Sequence, residues 1–259
     1  MANSRLLTEK KPPIAIVTLN EPDKRNPFSP TLVKEMTAAL QDIASDDEVV
    51  VVIFTGAGSA FSGGADLREM RKATALEDRG EYEHILGLNR LVWNYPKVTI
   101  SAVNGPALGL GAALIGWSDL AIAEERATVG YPEVRAGIPS ATVVPALLRL
   151  IGRKAMNEML FTGRAVDAAE AYRLGLVNRV VPNGTSVAAA TELALEIAQN
   201  AHHGLAFTKE VVRTTTDMEY SKAIEYARDI RVISRLHPTF QARIDNYVSR
   251  NSANKERGK

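Results

Sequence analysis

The chain has 259 residues, 31 Lys and Arg against 30 Asp and Glu, and no cysteine. Such a balance gives no positive field to hold nucleic acid, and the absence of Cys excludes disulfides, a thiol nucleophile and thiolate-ligated metals. No apolar run approaches the ~18 residues of a membrane span, and the opening MANSRLLTEKKPP lacks the apolar stretch of a signal peptide, so a cytoplasmic location is expected.

In chain order, Ile14 to Leu19 reads as a first strand, β-branched and bounded by turn residues. A helix follows with Ser29 as N-cap, Pro30 in its first turn and Leu32, Val33, Met36, Leu40 and Ile43 on one stripe. Val49 to Thr55 is continuously apolar, which predicts a strand buried on both faces. Val98 to Val103 is a third strand, Asn104-Gly105-Pro106 a turn, Gly109 to Trp117 a glycine-rich helix and Asp119 to Ala123 another short strand. Strand–strand–helix units thus recur at intervals of about 40 to 50 residues, without a repeat in the sequence itself. A layered or coiled α/β core is expected.

From Ala141 the chain turns mostly helical. Asp167 and Glu170 form a capping box for a helix that Gly175 closes. Val177 to Val181 is a last strand before the Pro182-Asn183-Gly184 turn. Helical patterns then run over Ser186–Asn200, Leu205–Thr215, Glu219–Leu236 and Thr239–Ser249, and the polar last ten residues are expected to fray. Tyr220, Ile224, Ala227, Ile230 and Ile233 make an apolar stripe on the third of these, a pattern suited to association. The division expected is a core over 1–195 and a helical oligomerisation region over 196–259.

Several motifs are near misses. A buried strand runs into Gly56-Ala57-Gly58, but Phe61 stands where a dinucleotide fingerprint needs its third glycine. Gly58 and Gly63 match a phosphate loop, yet Gly64-Ala65 replaces the Lys-Ser/Thr that such a loop requires. There is no Gly-x-Ser-x-Gly elbow. His84, His202, His203 and His237 show no metal-ligand spacing and are expected as surface or capping residues, so no metal is implied. Two glycine-rich turns remain, Ser62-Gly63-Gly64-Ala65-Asp66-Leu67 and Asn104 to Gly111, each after a buried strand and leading towards a helix. Helix starts leave N–H groups unpaired, and two converging would make a hole for a negatively charged oxygen. The other reading is that these glycines only allow tight turns and close packing.

Phe54-Thr55-Gly56 through Phe61-Ser62-Gly63-Gly64-Ala65-Asp66-Leu67, then Ala102 to Gly109, then Gly130-Tyr131-Pro132-Glu133 through Gly137-Ile138-Pro139, resemble the crotonase superfamily, the enoyl-CoA hydratase/isomerase family. The resemblance covers nearly the whole chain. It implies a spiral of strand–strand–helix turns with a C-terminal helical trimerisation region, and a homotrimer or dimer of trimers. It also implies an acyl-CoA substrate whose thioester enolate is held by the backbone N–H groups of Ala65 and Leu110, with coenzyme A as part of the substrate and no separate cofactor. Relatives mostly carry Gly where Leu110 stands, which is tolerable unless the backbone there needs positive φ.

The resemblance makes Glu133 the acid/base, its pKa raised if its pocket is apolar. The family's first hydratase glutamate falls on Ala113, which cannot move a proton. Double-bond isomerisation or single-glutamate hydration, a lyase or isomerase activity, is therefore favoured over two-glutamate hydration. The alternatives are an acyl-CoA hydrolase or C–C lyase of the same superfamily, and a catalytically silent acyl-CoA-binding scaffold. Lys24 and Arg25 match positions that contact CoA in relatives, as do Ala65, Asp66 and Leu67 along the turn. Tyr247 and Arg250 match a pattern that reaches a neighbouring subunit's CoA. Asp66 is expected to brace the Gly63–Ala65 turn. Residues 67–91 would line the acyl pocket, where Glu69, Glu77, Glu81 or Glu83 could replace the missing carboxylate.

Overall fold

The computed structural model describes residues 4–70 and 74–257. They form two compact units, Met1–Ile197 and Ala198–Lys259. The first unit opens with β1 (Leu6–Lys11) and β2 (Ile14–Leu19), an antiparallel pair about Pro12-Pro13. β1 escapes sequence reading because only its first residue is buried, so LLTEKK carries no alternation. α1 (Pro30–Ala44) follows as expected: the Ser29 hydroxyl accepts from the Leu32 N–H, and Leu32, Val33, Met36, Leu40 and Ile43 are all buried.

β3 (Val51–Gly56) is buried along its whole length. It starts two residues later than expected, because the Val49 N–H turns back to Asp46 O and that of Val50 reaches Pro13 O, outside the regular ladder. Next come α2 (Leu67–Met70), α3 (Ala75–Trp93), β4 (Val98–Val103), β5 (Ala107–Leu108), α4 (Leu110–Trp117), β6 (Leu120–Glu124) and β7 (Thr128–Gly130). α5 (Val144–Leu150), α6 (Arg153–Thr162), β8 (Ala165–Asp167), α7 (Ala168–Leu174), β9 (Arg179–Val181) and α8 (Ser186–Ala198) complete the series.

The larger sheet has the order β1-β2-β3-β4-β6-β9, parallel from β2 onward, and the smaller has the order β5-β7-β8. Parallel strands covered by helices explain the unbroken apolar run of β3 and the burial of β4 from Thr99 to Val103, its polar Thr99 and Ser101 included. α1 packs on α3, and α3 and α5 pack on α4, whose eight residues are all buried.

One local expectation is half right. Asp167 caps α7 by accepting from the Glu170 N–H, and Gly175 closes it in a left-handed conformation. Glu170 does not reach back to the cap, however. Its carboxylate is taken in bidentate fashion by Arg164, at 2.8 and 2.7 Å. A guanidinium fork outcompetes a single backbone N–H for a carboxylate.

The second unit contains α9 (His202–Thr215), α10 (Tyr220–Ile233) and α11 (Phe240–Arg257). On α10 only Ile230 of the anticipated stripe is buried, while Tyr220, Ile224 and Ile233 are exposed. α11 carries helical backbone into the polar tail, through Arg257, the last of the described residues. Among the described residues no helix is long and apolar enough to cross a membrane.

Glu124, at the end of β6, is 2% exposed. One carboxylate oxygen accepts from the Ser186 hydroxyl at 2.9 Å, and Arg126 Nε lies 2.9 Å from the other. Burial pushes its pKa up, but donors from Gly184, Ser186 and Arg126 outweigh that and hold it below the ordinary glutamate value. A depressed folded-state pKa stabilises the protein above the unfolded-state value, and this contribution disappears as pH falls through the folded-state value. Glu124→Gln is therefore expected to lower the urea-unfolding free energy by roughly 1–2 kcal/mol at pH 7. The difference from wild type should shrink as pH falls from the unfolded-state value through the lowered folded-state one. Denaturation at neutral pH and in acid checks this.

Candidate active site

The loop after β3 is held from below by two asparagines. Asn26 donates to the carbonyls of Ala57, Ala60 and Phe61 and accepts from the Glu21 N–H. Asn104 accepts from the Gly56 N–H and donates to Gly56 O and Gly58 O. Within the loop it is Ser62, not Asp66 as expected, that braces the turn. Its hydroxyl donates to Asn26 O at 2.7 Å and accepts from the Gly64 N–H at 3.2 Å. Asp66 instead accepts from the Arg68 N–H and so starts α2.

The two glycine turns are stitched together. Phe61 and Ser62 donate to Pro106 O, and the Leu108 N–H returns to Ser62 O. Gly64 has φ +94° and lies so close to the second turn that a Cβ there would stand 2.7 Å from Leu108 O. Gly109 has φ +52° and caps α4. The unusual backbone thus falls on Gly109, and Leu110 takes ordinary helical geometry, so its side chain causes no conflict. The bridge between Phe28 and Ala65 uses Gly64 O and Asp66 N, and the Ala65 N–H has no backbone acceptor among the described residues. Leu110, first in its helix, likewise has no acceptor among the described residues for its N–H.

Glu133 arrives by the smaller sheet. β5 pairs with β7 through Leu108 and Gly130, and the Gly109 N–H donates to Gly130 O at 2.9 Å. The chain then continues through Tyr131 and Pro132, so that Glu133 Oε1 lies 3.3 Å from where a Cβ on Gly109 would stand. Its other oxygen accepts from the Ser140 hydroxyl at 3.1 Å. Beneath it Tyr131 is wholly buried, and burial, helped by the Glu133 charge, pushes its phenol up, so it remains a neutral donor to Ala112 O.

A cavity of about 200 Å³ is lined by Ala65, Leu110 and Glu133 together. Phe28, Val33, Ile85 and Ile138 supply apolar wall, and Asp66, Leu67, Tyr82, His84, Ser140 and Thr142 also border it. Tyr82 on α3 and Thr142 share a hydrogen bond, joining two sides of this wall.

The remaining expected residues are placed as follows. Ala113 is buried in α4 with no polar group to offer. Of the substitute carboxylates, Glu77 is consumed by a capping box with Thr74, which also lowers its pKa, and Glu83 faces a separate groove beside Lys34. The side chains of Glu69, Glu81 and Arg250 lie outside the described residues. Only Leu67, Tyr82, His84 and Ile85 of the described 67–91 side chains border the cavity. Lys24 pairs with Glu21 at 3.0 Å and Arg25 contributes its carbonyl to the Gly63 N–H, and neither borders the cavity. Tyr247 is exposed on α11. His84 is half of a correction: it is exposed, as expected, yet it also borders the cavity, which no spacing rule reveals. His203 and His237 stack face to face in the second unit, at 4.1 Å between centroids.

The family profile described as enoyl-CoA hydratase/isomerase matches residues 9–254. A Thermus thermophilus protein named "Putative enoyl-CoA hydratase" is 45% identical over 202 residues, covering 77% of this chain and 80% of that one. The "Short-chain-enoyl-CoA hydratase" of Clostridium acetobutylicum is 34% identical over 230 residues, covering 87% of each. A crystal structure of an enoyl-CoA hydratase from Mycobacterium smegmatis superposes with a TM-score of 0.91 at 26% identity, covering 96% of this chain and 97% of that one. With its glycine turns, its α/β fold and nearly its full length accounted for by one profile, the chain belongs to the enoyl-CoA hydratase/isomerase family and has the crotonase fold.

Proposed function

We propose that this protein acts on an acyl-CoA thioester through an enolate. The α-proton of a thioester is a very weak acid, and its removal places negative charge on the carbonyl oxygen. The N–H groups of Ala65 and Leu110 would receive that oxygen, each worth about 10²–10³ in rate. Glu133 would take the α-proton. The observation that carries this reading is the approach of the Glu133 carboxylate to Gly109, the residue between the two glycine turns' closest contact and the free Leu110 amide.

The chemistry favoured is transfer of a double bond from the 3- to the 2-position, or addition of water by a single glutamate. Ala113 supports it, because α4 brings no second carboxylate to the cavity. In isomerisation Glu133 would return the proton two carbons along the acyl chain. The protein is expected to conjugate 3-enoyl-CoA faster than it hydrates 2-enoyl-CoA across a chain-length panel. Absorbance at the conjugated thioester band measures both reactions. Hydration as the dominant reaction, at enzyme-like rates of about 1–10³ s⁻¹, would overturn the preference. Inertness towards every acyl-CoA would favour the silent scaffold.

Lys24 and Arg25 would meet the anionic CoA nucleotide, which calls for cations at that point. The exposed apolar residues of α10 and α11, Ile224, Ile233 and Ile244 among them, fit burial in a homotrimer or dimer of trimers. In that assembly Tyr247 and Arg250 would reach a neighbouring subunit's CoA. A cytoplasmic location fits the same reading.

A further inference from the structure

We infer that Ser140 is a positioning residue that fixes which oxygen of Glu133 meets the substrate. The inference rests on the reading of Glu133 as the acid/base. The Ser140 hydroxyl makes the one hydrogen bond that the Glu133 carboxylate accepts among the described residues, to Oε2 at 3.1 Å. The opposite oxygen, Oε1, is the one that faces the Gly109 turn. Both residues border the cavity.

The local fold is arranged to bring residue 140 back over residue 133. Gly137 adopts φ +72° and ends the short 3₁₀ helix Pro132–Ala136, its N–H returning to that helix. The Ile138 N–H donates to Glu133 O at 3.1 Å, and the Ala141 N–H to Pro139 O at 2.8 Å. Ser140 therefore hangs on a loop anchored to the backbone of the glutamate it binds. Anchored in this way, the hydroxyl restricts the two outer torsions of Glu133, which a lone carboxylate at a cavity edge would sample freely.

The restriction matters because this site has no carboxylate on α4. With Ala113 in place, α4 offers no partner base opposite Glu133, so in this reading the Glu133 carboxylate both removes the proton and returns it, and its direction decides the rate. Displacing a reacting group by about 1 Å can cost on the order of 10²-fold in rate. A hydroxyl donor fixes Oε2 without taking a proton from the substrate, and leaves Oε1 free to accept one.

The test follows α-proton exchange of saturated acyl-CoA in heavy water by NMR, for wild type, Ser140→Ala, Ser140→Gly, Ser140→Thr and Glu133→Gln. Thermal melting is recorded alongside to show that each variant is folded. Both variants lacking the hydroxyl are expected to lose about ten-fold or more in kcat, with KM within about two-fold of wild type. Ser140→Thr, which keeps the hydroxyl, should recover most of the rate. A folded Ser140→Ala with wild-type kcat, a loss confined to KM, or Ser140→Thr no better than Ser140→Ala would each overturn the inference. Exchange that persists in Glu133→Gln, or is absent from wild type, would instead remove the functional reading and this inference with it.

Discussion

Glu133→Gln is expected to abolish exchange of the acyl-CoA α-proton, by roughly 10²–10⁴ in kcat, while the protein binds its thioester nearly as well. The amide keeps the size and shape of the carboxylate. Its oxygen can still accept from the Ser140 hydroxyl, as Oε2 of Glu133 does at 3.1 Å. What it lacks is an oxygen that can take up a proton near neutral pH. The loss should therefore fall on chemistry and not on KM, the pattern of a group needed in the transition state alone. NMR exchange and the 3-enoyl-CoA assay should fall together, since one base serves both. Residual exchange above about a tenth of wild type would mean that another group carries the proton. Asp66 and His84 are the described residues bordering the same cavity that could do so.

Most of the frame was legible because it depends on periodicity. Five apolar positions on one stripe announced α1, and the β-branched run of β3 announced a strand buried on both faces. The smaller sheet was not legible. β5, β7 and β8 have two or three residues each, too few for an alternating pattern to appear. Yet β5–β7 pairing is what carries Glu133 to Gly109, so the geometry of the site depends on the least readable element. Ala65, Leu110 and Glu133 could be nominated only through the resemblance of their surroundings, since an amide has no sequence signature of its own. The exchange of Ser62 for Asp66 as brace has a similar cause. Either side chain can bond a nearby N–H, and the choice was made by Asn26 O, distant in sequence but 2.7 Å from the Ser62 hydroxyl. Ser140 was invisible for the same reason, because only the Gly137 turn folds it back onto Glu133.

Gly64→Ala should damage activity and stability together. Two effects combine at this position and can be separated. The first is backbone strain: φ is +94°, where a residue with a Cβ costs about 1–2 kcal/mol. The second is a collision, because the new Cβ would stand 2.7 Å from Leu108 O. That oxygen belongs to backbone tied into β5, whose neighbouring Leu108 N–H is bonded to Ser62 O, so neither side can yield cheaply. Relief must come from moving the two turns apart, which carries the Ala65 N–H away from that of Leu110. Exchange activity is expected to fall by about 10²–10³, the effect of losing one oxyanion donor. Stability should fall by roughly 2–3 kcal/mol, strain and displacement combined. Gly184→Ala supplies the comparison, since Gly184 has φ +83° with nothing within 4 Å of the added Cβ. It carries the strain without the collision, and should lose about 1 kcal/mol with exchange unchanged. If Gly64→Ala behaved like Gly184→Ala, retaining exchange at a similar cost in stability, the contact between the two turns could not be what holds the paired amides in register.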